Sequence, residues 1–362
     1  MDFIKRLKII KQYFPVSKFY FYSLSKREWP LYGLIFQVTN KCNSRCLMCF
    51  NWQVINTETK ELSLAEIEKF TQTIGDIRSV TLGGGEPFLR PDLPEICEIF
   101  YRCSATRKIA IPTNCLLPDK IADQVERILV RVPIKLKVVL SLDGIGEVHD
   151  RVRGIAGNFK LFLDTYEKLT AIAKTNELLQ VSVNTTISNV NQDNIAAVID
   201  FVDQHPGITY HTIEVIRGSF DPQKIAPVDL GQYEELLSRV LFKSKTLAND
   251  LANKLFYAYY HKIALKIMKQ KKQILPCRSA LFFPVIDAWG NMYNCEMLPK
   301  IGNLRDYDYD FRKAWQSSLA KQQRLDIKNK KCWCTHYCYQ LPNIMMSPWH
   351  LFRAVFGNFH LK

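Results

Sequence analysis

The stretch that decides the fold is LIFQVTNKCNSRCLMC, Leu34 to Cys49, in which an apolar run leads directly into three closely spaced cysteines. The β-branched and aromatic residues at the start of this stretch predict a buried strand over Leu34 to Thr39. Cys42, Cys46 and Cys49 follow in a C-x3-C-x2-C spacing. Ligands collect at the carboxyl ends of strands in parallel α/β folds, so this loop lies where we expect a bound group.

Strand and helix patterns continue to alternate from Leu34 to about Tyr210. SLAEIEKFTQTI is a helical run that begins with a capping box of Ser63 and Glu66. Alternation of this kind is typical of βα units on a parallel sheet. Six units predict an α/β fold, a partial (β/α)6 barrel of the TIM type. The predicted strands are Leu34–Thr39, Ser79–Gly84, Lys108–Thr113, Lys135–Asp143, Leu179–Ile187 and Ile208–Ile216.

Regions of different composition flank the predicted barrel. Residues 277–338, which are rich in cysteine, have little room for an apolar core of their own. We therefore expect a bound metal or cluster to supply much of the order in this region. The predicted boundaries are 1–33 for a basic and aromatic extension, 34–229 for the barrel, 230–276 for a helical linker, 277–338 for the cysteine-rich domain and 339–362 for a C-terminal tail.

The composition of the 362 residues indicates a globular protein, with 47% hydrophobic residues and no apolar run long enough to suggest a membrane span. The N-terminus mixes Lys and Arg through its apolar positions, unlike a secretory signal, so we predict a cytoplasmic location. The cytosol keeps thiols reduced, and the eleven cysteines therefore indicate metal or cluster ligation before disulfides. The formal charge of +14 is spread along the chain and is typical of a solvated surface.

Three thiolates in the spacing of Cys42, Cys46 and Cys49 can hold an iron–sulfur cluster and leave one of four irons open. A zinc site with one ligand missing is the next interpretation, because zinc also accepts thiolates in tight spacings. A structural loop with three free thiols is the third.

The cysteine spacing resembles that of radical S-adenosylmethionine (radical SAM) enzymes, whose open iron binds the amino and carboxylate groups of the cofactor. GGGEPF, Gly83 to Phe88, resembles the Gly-Gly-Glu-Pro motif of that family. The resemblance implies cofactor contacts from Gly84, Gly85, Glu86 and Pro87, with the glutamate accepting a hydrogen bond from the cofactor amino group. Glycine lets backbone approach a ligand closely, and a carboxylate suits an ammonium donor.

Further cofactor contacts are implied at the ends of later strands. In SLDG, Ser141 is the first choice for the ribose and Asp143 the second. The following HDRVRG resembles a segment of the peptide-modifying branch, in which Arg153 would hold the cofactor carboxylate; a helix-entry salt bridge is the alternative. Asn114 ends the third strand, where the family often has Thr-Asn-Gly, but here Cys115 replaces the glycine. A thiol at Cys115 could donate a hydrogen atom to a substrate radical, whereas the alternative is a small, inert, buried side chain.

The C-terminal cysteines resemble the auxiliary-cluster module, SPASM or the shorter twitch form, that similar enzymes append to the barrel. Cys277, Gly290 and Cys295 have the C-x12-G-x4-C spacing of its opening, and CWCTHYC departs from the long form. Five thiolates cannot fill two four-cysteine sites, so we predict one auxiliary [4Fe–4S] cluster. His336 is a possible alternative ligand, and zinc is the competing metal. The predicted ligands are four of Cys277, Cys295, Cys332, Cys334 and Cys338.

By this resemblance the protein is a radical SAM enzyme with a barrel [4Fe–4S] cluster, S-adenosylmethionine and a reductant such as flavodoxin or ferredoxin. The enzyme would abstract hydrogen from a substrate carbon, with a peptide or protein side chain as the leading substrate class. The alternatives are a lipid-linked or phosphorylated sugar met at a membrane surface, and a non-catalytic iron–sulfur or zinc protein. The basic, aromatic N-terminus and the apolar C-terminus suggest peripheral membrane contact. Nothing indicates nucleic-acid binding, because positive charge alone is non-specific.

Overall fold

The computed structural model describes residues 3–17, 21, 31–57, 60–218, 225–239 and 251–357. The strands are β1 Gly33–Thr39, β2 Ser79–Gly84, β3 Lys108–Thr113, β4 Lys135–Ser141, β5 Leu179–Ile187, β6 Tyr210–Val215, β7 Val285–Ile286, β8 Asn291–Tyr293 and β9 Gly302–Asn303. They form one sheet in the order β6-β5-β4-β3-β2-β1-β7-β8-β9.

Helices follow most of the strands. The α-helices are α1 Phe3–Tyr13, α2 Leu64–Ile74, α3 Leu93–Cys103, α4 Pro118–Arg131, α5 Glu147–Arg153, α6 Asn158–Thr175, α7 Ile195–Asp203, α8 Leu230–Arg239, α9 Leu251–Gln270, α10 Ser279–Phe282, α11 Phe311–Trp315, α12 Ser318–Lys328, α13 Tyr337–Met346 and α14 Pro348–Phe356. Short 3-10 helices cover Phe14–Ser17, Pro87–Leu89, Gln192–Asn194 and Leu304–Tyr307.

Strands β1 to β6 pair in chain order and are all parallel. Because β6 and β9 lie at opposite ends of the strand order, the sheet is a partial barrel rather than a closed one. The predicted α/β fold with a partial (β/α)6 barrel is confirmed. Three predicted strands, β2, β3 and β5, agree with the structure residue for residue.

The barrel core forms between the sheet and the helices that cover it. Phe36 on β1, Phe70 on α2 and Phe100 on α3 are fully buried, with ring centroids 5.6 to 6.1 Å apart. The predicted capping box is present: Ser63 accepts from the Glu66 amide, and the Glu66 side chain accepts from the Ser63 amide. The capping box fixes the start of α2.

The cysteine-rich region shares its core with the barrel. β7 pairs in parallel with β1, with Val285 opposite Ile35, and β8 and β9 add an antiparallel extension. Ile286 and Met292 belong to the same buried cluster as the barrel strands. Main-chain pairing to β1 therefore supplies order that the sequence analysis attributed to a metal or cluster.

The segments on either side of the cysteine-rich region are packed helices. In the predicted linker, α9 packs against α8, α13 and α14. Tyr257, Tyr260 and several other side chains of α9 are buried in these contacts. Helix α13 runs across the predicted boundary at residue 338. Ile9 on α1 and Leu351 on α14 join the α9 cluster, so the two ends of the chain pack together. Among the described helices, none has both the length and the apolar character that a membrane span requires.

Candidate active site

The three cysteines of the loop after β1 face one cavity of about 220 Å³ at the carboxyl ends of the barrel strands. Seven of the eight predicted cofactor-binding residues line the same cavity, and Pro87 is buried beside it as the first residue of a 3-10 helix. The lining residues that carry the argument are Cys42, Cys46, Cys49, Gly84, Gly85, Glu86, Asn114, Ser141, Asp143 and Arg153.

The cysteine loop is held against α5 by main-chain hydrogen bonds. The amide of Arg45 donates to the carbonyl of Arg153 over 3.3 Å, and the amide of Leu47 donates to the carbonyl of Val152 over 2.9 Å. The Ser44 hydroxyl lies 3.1 Å from the Cys46 sulfur. The loop therefore takes its position from a helix more than a hundred residues further along the chain.

Burial and crowding raise the pKa values of two thiols in this loop. Burial raises the pKa of Cys49 to about 11, and the neighbouring Cys46 contributes to the rise. Burial also raises the pKa of Cys42. Crowded thiols of this kind deprotonate when a cationic metal group binds, because the positive charge of that group lowers the pKa values of the thiols that coordinate it. The three thiols thus fit an iron–sulfur cluster. Among the described residues, no three His, Cys, Asp or Glu side chains converge on a site for a single metal ion.

Two glycines allow the loop after β2 to lie against the loop after β1. Gly84 has a φ of +120°, and a Cβ there would lie 2.2 Å from the carbonyl oxygen of Thr39. At Gly85 a Cβ would lie 2.1 Å from the carbonyl oxygen of Lys41. Only glycine permits this close approach, which brings the glutamate that follows beside the cysteine loop.

Glu86 is 2% exposed and accepts hydrogen bonds from three donors. These are the main-chain amide of Asn114 at 2.7 Å, the hydroxyl of Thr113 at 3.0 Å and the main-chain amide of Phe88 at 3.3 Å. Burial raises the pKa of Glu86 to about 7, although these donors oppose the shift. An ammonium group in the cavity would stabilise the carboxylate form.

Asp143 and Arg153 form a largely buried ion pair across the cavity, with 2.9 Å between Oδ2 and Nε. A second nitrogen of Arg153 donates to the Cys46 sulfur over 3.4 Å, and Asp143 also accepts from the Thr186 amide over 2.8 Å. Asp143 is therefore engaged by the protein itself, whereas Ser141 on the cavity wall is the freer candidate for the ribose. The Arg153 side chain is only 12% exposed, so its ion pair with Asp143 is shielded from solvent.

Asn114 and Cys115 take different positions. The Asn114 amide nitrogen donates to Asn43 over 2.8 Å and lies 3.8 Å from the Cys42 sulfur. Cys115 is fully buried and has a φ of +64°, in the left-handed region that favours glycine. It does not line the described cavities, so its burial favours the packing interpretation over hydrogen-atom donation.

Four of the five C-terminal cysteines line a second cavity, of about 260 Å³. Burial raises the pKa values of Cys332 and Cys334 to about 11, and the nearby Cys277 contributes to both shifts. The lining cysteines are Cys277, Cys295, Cys332 and Cys334. This set fits a four-thiolate site.

Cys338 lies apart from these four, on the barrel side of α13. Cys338 is exposed, and the charged groups nearest to it include Glu214 and Arg217, with no other cysteine among them. His336 has both ring nitrogens engaged: Nε2 is 2.5 Å from a Glu296 carboxylate oxygen, and Nδ1 accepts from the Cys338 amide. As placed, His336 therefore acts as a helix cap and not as a ligand.

Glu214, Arg217, Glu296 and His336 form a buried charged network between the barrel and the cysteine-rich region. Arg217 lies 2.6 Å from Glu214 and 3.7 Å from Glu296. Although burial opposes it, the hydrogen bond from His336 and the charge of Arg217 lower the pKa of Glu296, whereas burial lowers the pKa of His336 itself. Glu296 is thus an ionised carboxylate.

A third cavity, of about 520 Å³, lies between the cysteine loop, the end of β1 and the β7–β8 segment. Its walls combine aromatic rings with amides and carboxylates. The lining residues are Gln37, Phe50, Asn51, Gln53, Val54, Gly218, Val285, Asp287, Trp289, Tyr293, Glu296 and Met297.

The sequence analysis named His336 but not its network partners Glu214, Arg217 and Glu296, and it did not name the walls of this third cavity. Glu214 and Arg217 stand at the carboxyl end of β6, and Glu296 directly follows Cys295. Their positions beside a strand end and a ligand were a usable signal, because polar groups at those positions face the site. Trp289 and Met297 carried no comparable signal.

Comparison with known proteins agrees with this geometry. The sequence model of the Radical SAM superfamily matches residues 36–202. The chain is 24% identical over 320 residues to the AdoMet-dependent heme synthase of Methanosarcina barkeri. The aligned part covers 83% of this chain and 86% of that protein. It is 29% identical over 200 residues to the Fe-coproporphyrin III synthase of the same organism, covering 54% of this chain and 47% of that protein.

Solved structures of similar fold extend the likeness beyond the barrel. Native anSMEcpe with bound AdoMet has a TM-score of 0.59 at 14% identity, covering 80% of this chain and 82% of that one. Streptococcus suis SuiB bound to precursor peptide SuiA has a TM-score of 0.58 at 15% identity, covering 88% and 70%. At these identities the likeness concerns the fold.

Residues 36–202 match the Radical SAM superfamily and make up a domain of that type, and the protein is an enzyme of the radical SAM type. The predicted family and enzyme class are confirmed, and the non-catalytic alternative is set aside. The family uses a [4Fe–4S] cluster and S-adenosylmethionine.

Proposed function

We propose that this enzyme oxidises a C–H bond in a peptide or protein side chain held in the 520 Å³ cavity. The carrying observation is the position of that cavity, which adjoins the cofactor cavity on one side and the four-cysteine cavity on the other. Asn51, on its wall, lies 3.4 Å from the carbonyl of Gly84 in the cofactor cavity. Met297 lines both the substrate cavity and the four-cysteine cavity.

In this proposal Cys42, Cys46 and Cys49 hold the barrel cluster. Glu86 accepts from the cofactor amino group, and Arg153, fixed by Asp143, faces the cofactor carboxylate. Asn114 and Ser141 serve the nucleoside part of the cofactor. When bound, the cluster and S-adenosylmethionine together supply the 5′-deoxyadenosyl radical that abstracts hydrogen from a substrate carbon.

Oxidation of the substrate carbon also requires removal of one electron and one proton. Glu296 is the ionised carboxylate on the cavity wall and would accept the proton. An auxiliary [4Fe–4S] cluster on Cys277, Cys295, Cys332 and Cys334 would take the electron. The adjacency of these thiols to Met297 supports this role, because that residue alone lines both cavities among those described.

The cavity walls support a peptide as the substrate. Amide side chains of Gln37, Asn51 and Gln53 match the hydrogen-bonding groups of a peptide backbone. The described walls carry two carboxylates, Asp287 and Glu296, and no Lys or Arg. Charge complementarity therefore favours a peptide over a substrate rich in carboxylates.

A tetrapyrrole is the second candidate, because the AdoMet-dependent heme synthase aligns over most of both chains. The rings of Phe50, Trp289 and Tyr293 on the cavity walls would suit a flat substrate.

The electron for cofactor cleavage would come from an acidic carrier such as flavodoxin or ferredoxin, which the formal charge of +14 would attract.

Deuterium transfer tests the substrate class directly. Cells of the source organism grown in deuterated medium would be separated into peptide, lipid and small-molecule fractions. Each fraction would be incubated with reduced enzyme and unlabelled S-adenosylmethionine, and the 5′-deoxyadenosine analysed by mass spectrometry. Deuterium gained from the peptide fraction supports the proposal. Deuterium gained only from the lipid or small-molecule fraction overturns it in favour of a lipid-linked sugar or a tetrapyrrole.

A further inference from the structure

Helices α1 and α14 pack together and expose a row of large apolar side chains on the surface. Phe3 and Leu7 on α1 are 63% and 46% exposed, and Trp349 and Phe352 on α14 are 63% and 53% exposed. Trp349, Phe352 and Arg353 follow one another at i, i+3 and i+4, so they share one face of α14. Large aromatic side chains are seldom left in water in such numbers.

The two helices form one continuous surface. The ring of Phe356 lies 5.6 Å from that of Phe3 and 4.8 Å from that of Phe352. The Arg6 guanidinium donates to the carbonyl of Val355 and lies over the Phe356 ring. Aromatic contacts thus join the exposed end of α1 to the exposed row of α14.

Cations surround this apolar row. Lys5, Lys8 and Lys11 recur every three residues along α1, and all three are exposed. Arg353 lies 5.5 Å from the centre of the Trp349 ring. Neither α1 nor α14 contains an Asp or Glu. Aromatic side chains flanked by cations without carboxylates match the interface of a bilayer that contains anionic lipid.

Buried side chains hold the pair rigidly to the enzyme. Ile9 on α1 and Leu351, Ala354 and Val355 on α14 pack into the cluster around α9. The exposed rows therefore lie opposite faces that are already anchored, so docking requires no rearrangement of either helix.

We propose that the α1–α14 face docks the enzyme on anionic membrane lipid. This inference concerns the location of the enzyme and stands independently of the substrate. A second copy of the chain is the other occupant that this apolar face could take, and it is an outcome of the test below.

Vesicle flotation with the full-length, anaerobically reconstituted enzyme tests this proposal. The probes are phosphatidylcholine vesicles with and without one quarter phosphatidylglycerol. We expect binding to the anionic vesicles only, and weaker binding as salt increases. Lys8→Gln should lower the partition coefficient about fivefold, the equivalent of about 1 kcal/mol. Trp349→Ser/Phe352→Ser should abolish binding.

Leu319→Ser/Leu325→Ser is the matched control, because both residues are about half exposed on α12, away from this face. It should bind vesicles as the unaltered enzyme does. Equal binding by the Trp349/Phe352 variant, or none by the unaltered enzyme, would overturn the proposal. A dimer by light scattering that Trp349→Ser/Phe352→Ser makes monomeric would assign the face to a second copy instead.

Discussion

Arg153 lies between Asp143 and the cysteine loop, with its Nε 2.9 Å from the Asp143 carboxylate and another nitrogen 3.4 Å from the Cys46 sulfur. One largely buried guanidinium thus connects the end of β4 to the loop that follows β1. The cation is held where a cofactor carboxylate would meet it, at a fixed distance from the thiols.

Arg153→Gln should weaken S-adenosylmethionine binding and lower stability by about 3 to 5 kcal/mol, because it leaves the Asp143 carboxylate buried without its partner. Adding Asp143→Asn should restore much of the stability and leave binding weak. Arg151→Gln, on the exposed side of the same helix, is the control. Denaturant unfolding and equilibrium dialysis would measure both effects. A variant of Arg153 that binds and unfolds like the Arg151 variant would contradict this role.

Glu86 should make the apoprotein sensitive to pH. Its folded pKa of about 7 lies above the ordinary value of 4.5, so its contribution to stability is present below pH 4.5 and is lost as the pH rises through 7. Relative to Glu86→Gln, the unaltered apoprotein should lose about 3 kcal/mol between pH 4 and pH 8. Parallel unfolding curves for the two proteins across this range would show that the carboxyl group is not buried as described.

Cofactor binding should have the opposite pH dependence, since the ammonium group of S-adenosylmethionine requires the carboxylate form of Glu86. Affinity should rise as the pH passes 7 in the unaltered enzyme and stay low and flat in Glu86→Gln. Thr73→Val, which alters a hydroxyl outside the cofactor cavity, should keep the pH profile. Equal profiles in all three proteins would remove Glu86 from cofactor recognition.

The C-terminal cysteines should divide four to one. Cys334→Ser should lower the iron content from about eight to about four per chain, because it removes one of four proposed ligands. Cys338→Ser should keep about eight, because Cys338 lies outside the four-cysteine cavity. Iron and sulfide analysis after anaerobic reconstitution gives the answer. Loss of four irons in the Cys338 variant would place that thiol among the ligands.

Gly84→Ala should disrupt the site far more than an ordinary substitution of a glycine with positive φ. A Cβ at Gly84 would lie 2.2 Å from the Thr39 carbonyl oxygen, whereas one at Gly157 meets nothing within 4 Å. Both positions have positive φ, so Gly157→Ala reports the backbone strain alone, about 1 to 2 kcal/mol. Thermal unfolding and cofactor binding would compare the two. Similar losses in both variants would mean that the close approach of β1 and β2 is unimportant.

Local patterns were sufficient to predict the barrel, and the family resemblance of the motifs predicted most of the residues that line the cofactor cavity. Strand β2 and the capping box of Ser63 and Glu66 depend on neighbouring residues in the chain, and the structure has both as predicted. The carboxyl ends of parallel strands meet at one edge, which agrees with the cofactor contacts that the family resemblance implied for Glu86 and Asp143.

Contacts between distant segments account for what the sequence analysis missed. Pairing of β7 with β1 joins residues 250 apart, and no local pattern reports it. The Glu296–Arg217 pair joins segments 79 residues apart for the same reason. The burial of Cys115 at positive φ likewise depends on packing from α6, whose Thr165 donates to its carbonyl. Tertiary packing, rather than propensity, decides each of these features.

Cleavage of S-adenosylmethionine by the reconstituted, reduced enzyme tests the central claim most directly. The unaltered enzyme should form 5′-deoxyadenosine, and so should Cys97→Ala/Cys103→Ala, whose thiols lie on α3 away from the site. The Cys42→Ser/Cys46→Ser/Cys49→Ser variant should form none. Absence of 5′-deoxyadenosine from the unaltered enzyme with its iron intact, or its formation by the triple variant, would contradict the account.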